Sequence, residues 1–176
     1  LGELDEAQKN ELFSELKTKD ALVIDADLCY EPHTLELLNS EKVVVTPHPK
    51  EFASLLGLAN LGKFDTREVQ KNRFKLAQIF SQNFKCVLVL KGANTLIAQG
   101  GEIYVMTHGS AALAKGGSGD ALSGIVAGLL VQGYSPLNAA ISGVLAHALA
   151  ARKIKINDYA LTAADVIKGL KCLRKK

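Results

Sequence analysis

Short apolar runs recur along this chain, with helix-patterned stretches between them, and this alternation restricts the fold more than any other feature. "ALVID", "KVVVT" and "CVLVLK" read as strands, "KVVVT" as a buried one. "EAQKNELFSEL", "PHTLELLN" and "PKEFASLLG" read as helices, the last with Pro49 at its first position and Gly57 just past its end. Asp65 and Glu68, three residues apart, signal a capped helix through about Phe80. "TLIAQ" and "EIYVMT" flank Gly100-Gly101 as an antiparallel hairpin, and "GANT" turns the chain before it. A glycine-rich stretch from Ala114 opens a helix to about Gln132, stopped by Gly133. Ser135-Pro136 begins another, and Thr162 with Asp165 caps a last one. Strands alternating with helices predict an α/β sandwich around a largely parallel sheet. With no internal repeat or linker, residues 1–176 read as one domain.

The two helices after the glycine stretch stand apart. The first places Leu122, Ile125, Val126, Leu129 and Leu130 on its apolar side, beside Gly124, Ala127 and Gly128. The second is rich in small residues, among them Ala139, Ala140, Gly143, Ala146 and Ala150. Small residues permit close helix approach, so these two are expected to pack as a buried pair that holds the glycine stretch rigid.

Composition narrows the function. At 176 residues and 48% apolar, the chain can bury a real core. The net charge of +3 is mild and comes partly from the tail "KGLKCLRKK", which reads as a solvated helix end. Without Trp and with 6% aromatics, the chain lacks base-stacking platforms, and no nucleic-acid partner is expected. Cys29, Cys86 and Cys172 are too dispersed for a metal motif and read as inert thiols of a reduced cytoplasm. No apolar run approaches the roughly 18 residues needed to span a membrane, so no membrane partner is expected. The chain opens on Leu1 rather than Met and is read as a fragment.

"AKGGSGDALSG" carries the chemistry. Clustered glycines let successive backbone N–H groups converge, and the following helix adds its positive end, which together make an anion cradle. The stretch lacks the Lys-Ser or Lys-Thr of a Walker loop. It also departs from the dinucleotide fingerprint, since Leu122 stands at the third glycine position after Gly117 and Gly119. Asp120 closes the cradle. An acid in a helix's first turn can be simply a dipole partner. Beside an anion cradle it can also take the proton of an attacking hydroxyl while the N–H groups stabilise a transferred phosphoryl group.

Other candidates lie at strand ends, where ligands of open α/β sheets gather. Lys91 leaves its strand just before Gly92, and Lys91 and Thr95 could meet nucleotide phosphates or simply flank a solvated turn. His48 sits between Pro47 and Pro49, whose rings fix its exit direction and make it a candidate substrate contact. Glu51 is read both as a dipole partner and as a substrate contact. Asp25 and Asp27 could bind Mg²⁺ or polar substrate, or hydrogen-bond the backbone. His33, His108 and His147 show no ligand spacing and are assigned no role.

Taken together, "TPHPKEFASLLG", "LKGANTLIA" and "AKGGSGDALSGIVAGLLVQGYSPLNAA" resemble the ADP/ATP-dependent NAD(P)H-hydrate dehydratases of the ribokinase-like superfamily. The resemblance covers nearly the whole chain. It implies a three-layer α/β/α sandwich lacking its N-terminal portion, because the family's domain carries further strands and helices before the position of Leu1. It implies repair of hydrated NADH and NADPH driven by ADP or ATP, with Mg²⁺ screening the nucleotide. By resemblance Lys91, Gly92, Ala93, Asn94 and Thr95 bind nucleotide, as do Gly117, Ser118 and Gly119. His48, Asp120 and Gly2 contact the hydrated nicotinamide, and Asp120 is catalytic. The metal ligands stay open. A homo-oligomer is expected, working with or fused to an epimerase domain. The chain departs from the family at Ser110, where an Asn is usual. Alternatives are a small-molecule kinase of the hydroxyethylthiazole or pyridoxal type, and a nucleotide-binding module without activity.

Overall fold

The computed structural model describes residues 4–173, so Gly2 lies outside the described residues. Its sheet has five strands in the order β1 (Leu22–Ile24), β2 (Val43–Val45), β3 (Val87–Leu90), β4 (Leu96–Gln99) and β5 (Glu102–Val105). The β1–β2 and β2–β3 pairs are parallel, and β3–β4 and β4–β5 are antiparallel. The sheet is therefore mixed, and β4 alone runs against the rest. The β4–β5 turn uses Gly100 at φ 60° and Gly101 at φ 87°, the left-handed pair that a two-residue hairpin requires.

Strand residues alternate between two cores, as the pleat demands. Val43, Val45, Leu88, Leu90, Leu96 and Ala98 face one core. Val44, Val87, Val89 and Ile97 face the other. The first face is covered by α1 (Glu6–Leu16), α2 (Thr34–Leu37), α3 (Pro49–Leu58), α4 (Thr66–Lys71) and α5 (Arg73–Asn83). Within it Phe52 and Phe80 meet edge to face with ring centres 5.3 Å apart. The second face is covered by α6 (Ser118–Val131) and α7 (Pro136–Lys153). Both faces of β2 and β3 are buried, which is why "VVV" and "VLVL" show no polar alternation.

The expected close pair of α6 and α7 is present. A Cβ on Gly143 would lie 2.7 Å from Val126 Cγ2, so only glycine fits this crossing without movement. A smaller cluster of Ala112, Ala150, Ala151, Leu161 and Val166 packs α8 (Ala163–Leu170) onto α7. There a Cβ on Gly169 would lie 2.5 Å from the Ala150 carbonyl oxygen.

Two helix boundaries differ from the expectation. Gly57 lies inside α3, and Asn60, at φ 55°, takes the left-handed position after the helix. The Asn60 N–H donates to the Gly57 carbonyl and the Leu61 N–H to the Leu56 carbonyl, closing a Schellman motif one turn later than glycine placement suggested. The helix capped by Asp65 does not run on through Phe80. It breaks at Asn72, whose side-chain amide donates to the Glu68 carbonyl at 3.0 Å and competes with the helical bond. The chain resumes as α5 and continues to Asn83.

Candidate active site

The parallel strands β1, β2 and β3 deliver Asp25, the Pro47-His48-Pro49 turn and Lys91 to the same sheet edge. The glycine loop before α6 closes over that edge, leaving a cleft of about 890 Å³. His48, Glu51, Lys91–Thr95 and Gly117–Asp120 all line it, so chain segments expected to act together do meet.

The loop geometry follows from its glycines. Gly117 takes φ 80° and serves as the N-terminal boundary of α6, with no side chain capping it. By contrast, Asp5, His48, Asp65, Ser135 and Thr162 cap α1, α3, α4, α7 and α8. The first N–H groups of α6 have no intrahelical acceptor, and their residues line the cleft. Asp120 stands in that first turn, exposed to the cleft, with no hydrogen bond or ion pair among the described residues.

Against the start of α6 lies a charged network. Lys91 Nζ donates to Asp25 Oδ1 at 2.8 Å and lies 3.7 Å from Glu51 Oε2. The other Asp25 oxygen, Oδ2, accepts from Ser123 Oγ at 2.7 Å, and Ser123 Oγ is 3.2 Å from Thr46 Oγ1. Burial opposes the charge on Asp25. The hydrogen bonds from Lys91 and Ser123, the Lys91 charge and the Ala26 N–H outweigh it and hold the carboxyl below the ordinary carboxylate range.

His48 and Glu51 cap α3 reciprocally. The Glu51 N–H donates to His48 Nδ1 at 3.1 Å, and the His48 N–H donates to Glu51 Oε2 at 2.6 Å. His48 Nε2 lies 3.1 Å from Glu51 Oε1, which places the ring proton on Nε2 when His48 is neutral. Glu51 is thus turned inward, its side chain 8% exposed, while the ring is 44% exposed. Glu51 sits in the first turn of α3 as its capping partner, faces Lys91, and also lines the cleft.

Around this centre the backbone is clamped. Arg73 donates to the Leu90 carbonyl at 3.1 Å, and its guanidinium fills the space a Cβ on Gly92 would need. Burial lowers the Arg73 pKa from its ordinary value. The backbone of Gly109 presses on the Ala93 carbonyl so closely that no side chain fits there. Ser110 lines the cleft and caps a short helical turn by accepting from the Ala112 N–H at 3.2 Å. Lys115 ties the glycine loop to the carbonyls of Asp158 and Leu161.

Two residues carried no sequence-based assignment, His147 in the cleft lining and Ser123 behind it on α6. His147, buried on α7, lies 3.3 Å from Ser118 Oγ through Nε2. Burial lowers its pKa, and a hydrogen bond from the ring to the Ser118 backbone works in the other direction. Its position four residues beyond Gly143, on the face α7 buries, was the available signal. Ser123, one turn beyond Gly119, was hidden as a lone polar residue in an apolar stripe. Asp27 does not line the cleft, nor does His33, which stacks on Phe13 with ring centres 5.3 Å apart.

Parallel strand ends converging on a glycine-rich helix start beside a deep cleft are the ribokinase-like arrangement, and a solved ribokinase-like superfamily structure from Enterococcus faecalis superposes on this chain with a TM-score of 0.75. The chain belongs to the NAD(P)H-hydrate dehydratase family, whose model matches residues 1–171. It is 49% identical over 152 residues to the bifunctional NAD(P)H-hydrate repair enzyme Nnr of Helicobacter pylori, covering 86% of this chain and 32% of that protein. It is 38% identical over 158 residues to the ADP-dependent (S)-NAD(P)H-hydrate dehydratase of Neisseria meningitidis, covering 86% of this chain and 51% of that one. The Bacillus subtilis ADP/ATP-dependent NAD(P)H-hydrate dehydratase, co-crystallised with ATP and Mg²⁺ and soaked with CoA, superposes with a TM-score of 0.79 at 28% identity, covering 94% of this chain and 60% of that one. The chain therefore spans about a third to a half of the length of these curated relatives. Among the described residues, no helix is long and apolar enough to cross a membrane.

Proposed function

We propose that the protein containing this chain dehydrates hydrated NADH and NADPH at the expense of ADP or ATP. The observation that carries the proposal is Asp120, a carboxylate without a side-chain partner among the described residues, on a helix start that no side chain caps and that the Lys91 ammonium abuts at Gly119. Donors for a phosphate and an acceptor for a hydroxyl proton share one cavity.

The chemistry divides among these residues. Lys91–Thr95 and Gly117–Gly119 hold the nucleotide's phosphates, by ammonium and backbone N–H groups respectively. His48, kept in one orientation by Glu51, contacts the hydrated nicotinamide together with Asp120. The substrate hydroxyl sits on a ring carbon adjacent to nitrogen. Asp120 takes its proton as the oxygen attacks the terminal phosphorus, and the bond to the nucleotide's bridging oxygen breaks, leaving AMP from ADP or ADP from ATP. The ring nitrogen's lone pair then expels phosphate, and loss of a proton from the neighbouring carbon restores the dihydropyridine.

Among the described residues no group of three His, Cys, Asp or Glu side chains could hold a metal ion, and both Asp25 oxygens are already engaged. These residues thus offer no all-protein Mg²⁺ cage, and Mg²⁺ is usually held by one or two carboxylates together with substrate phosphates. Screening of nucleotide charge would therefore travel with the nucleotide. The relatives named as bifunctional support a second, epimerase activity in the full-length protein.

The full-length protein assayed on hydrated NADH, with ADP and ATP compared, is expected to restore NADH absorbance and release phosphate. A stable phosphorylated product would identify a kinase instead. Nucleotide binding without turnover would identify an inactive binding module. Asp120→Asn is expected to leave folding and ADP binding largely intact and to lower turnover by about 10²–10⁴-fold, the usual contribution of a positioned base. Unchanged turnover would remove Asp120 from the reaction.

A further inference from the structure

The Lys91 ammonium occupies an unusual position. A Cβ on Gly119 would lie 3.2 Å from Lys91 Nζ and 3.8 Å from Asp25 Oδ2, so both charged groups press on the first turn of α6. A helix start is partially positive, and a cation left there alone would be repelled from it. Lysine's stem is long and freely rotating, and nothing in its own sequence neighbourhood would hold it against that field. What hydrogen-bonds it is Asp25, 66 residues earlier in the chain, while the Glu51 carboxylate stands farther off at 3.7 Å.

We infer that Asp25 is a positioning residue that fixes the Lys91 ammonium at the mouth of the glycine loop, so that the two sides of the phosphate site are pre-assembled. The inference rests on the nucleotide-binding role proposed above for Lys91. Asp25 suits the task because it is itself immobilised. Its Oδ2 is fastened by Ser123 on α6, and its Oδ1 takes one of the three Lys91 protons. The remaining protons stay available to ligand oxygens. The carboxylate's negative charge offsets the like-signed contact between ammonium and helix start. Ser123 and Gly119 lie one turn apart on α6, so the same helix that presents the backbone N–H groups also anchors the counter-ion of the lysine. Asp25 acts through Lys91 and need not touch the nucleotide.

A double-mutant cycle in the full-length protein tests this, read as the dissociation constant of ADP and of ATP by calorimetry. Lys91→Met alone and Asp25→Asn alone are each expected to weaken the preferred nucleotide by about 10-fold, typical of losing a charged hydrogen bond. In the Lys91→Met background, Asp25→Asn is expected to add less than about twofold, since contacting residues are not additive. Equal losses in both backgrounds would overturn the inference, because Asp25 would then act on ligand, metal or fold directly. Ser123→Ala leaves the carboxylate in place and guards against an Asp25 variant that fails to fold. It is expected to weaken nucleotide by a few fold, again only when Lys91 is present. A second reading needs no nucleotide. Acylation of Lys91 in the unliganded protein, quantified by mass spectrometry, is expected to rise several-fold in Asp25→Asn as the ammonium is released. Unchanged labelling would overturn the tether itself, whereas absence of ADP and ATP binding by the wild type would overturn the functional reading and leave the labelling result to decide the tether.

Discussion

Gly119 shows how closely the cleft is fitted. It is a helical glycine at an ordinary φ, so backbone freedom does not explain it; the nearby Lys91 ammonium does. Gly119→Ala is expected to leave the melting temperature unchanged or slightly raised, because alanine is favoured over glycine in helices by about 1 kcal/mol. Nucleotide affinity is expected to fall by about 10-fold as the methyl group displaces Lys91 Nζ, an estimate based on loss of one charged contact. Calorimetric binding beside a thermal melt would check both outcomes. At this scale the sequence was partly legible. "GGSGD", "LKGANT" and "TPHPKEF" each announced themselves through glycine, proline or a charge at a strand end. The Asp25–Ser123 bond did not, because its partners lie 98 residues apart and neither belongs to a recognisable local pattern.

At the scale of elements, the fold was most readable where local chemistry decides it. Capping boxes at Asp65 and Thr162 and the Gly100-Gly101 hairpin follow from neighbouring residues alone. The break at Asn72 was not readable, since it depends on a side chain choosing one carbonyl over a helical continuation and on Arg73 reaching across to β3. The α6–α7 crossing offers an element-scale test. Gly143→Ala is expected to destabilise the protein by about 1–3 kcal/mol through overpacking against Val126. Adding Val126→Ala is expected to recover part of that loss, which urea denaturation of the single and double variants would show. Gly169→Ala meets backbone rather than a side chain and is expected to loosen α8 without such a rescue. Increased protease cleavage between residues 154 and 162 would report it.

At the scale of the whole molecule, buried ionisable groups couple the cleft to stability. His147 has a folded pKa below its unfolded value of 6.5, chiefly through burial. Between those two values the unfolded chain binds a proton that the folded one refuses, so stability falls as pH drops below about 6.5 and levels off beneath the folded value. His147→Gln is expected to flatten this part of the stability–pH profile, measured by denaturant titration between pH 5 and 7. Asp25 has the opposite sign. Its depressed pKa contributes stability that is fully present above the ordinary value of 3.8 and is lost as pH falls through the folded value.

The hairpin of β4 and β5 can form from residues adjacent in the chain, whereas the Asp25–Lys91–Ser123 bridge needs β1, β3 and α6 already in register. Non-local contacts of this kind carry the entropic cost of closing long loops and form late. Nucleotide affinity is thus a property of the finished topology. During refolding it is expected to return with the slowest phase, after the helical signal has recovered. A destabilised variant would then lose ligand binding through local opening of the cleft while its secondary structure still reads as native.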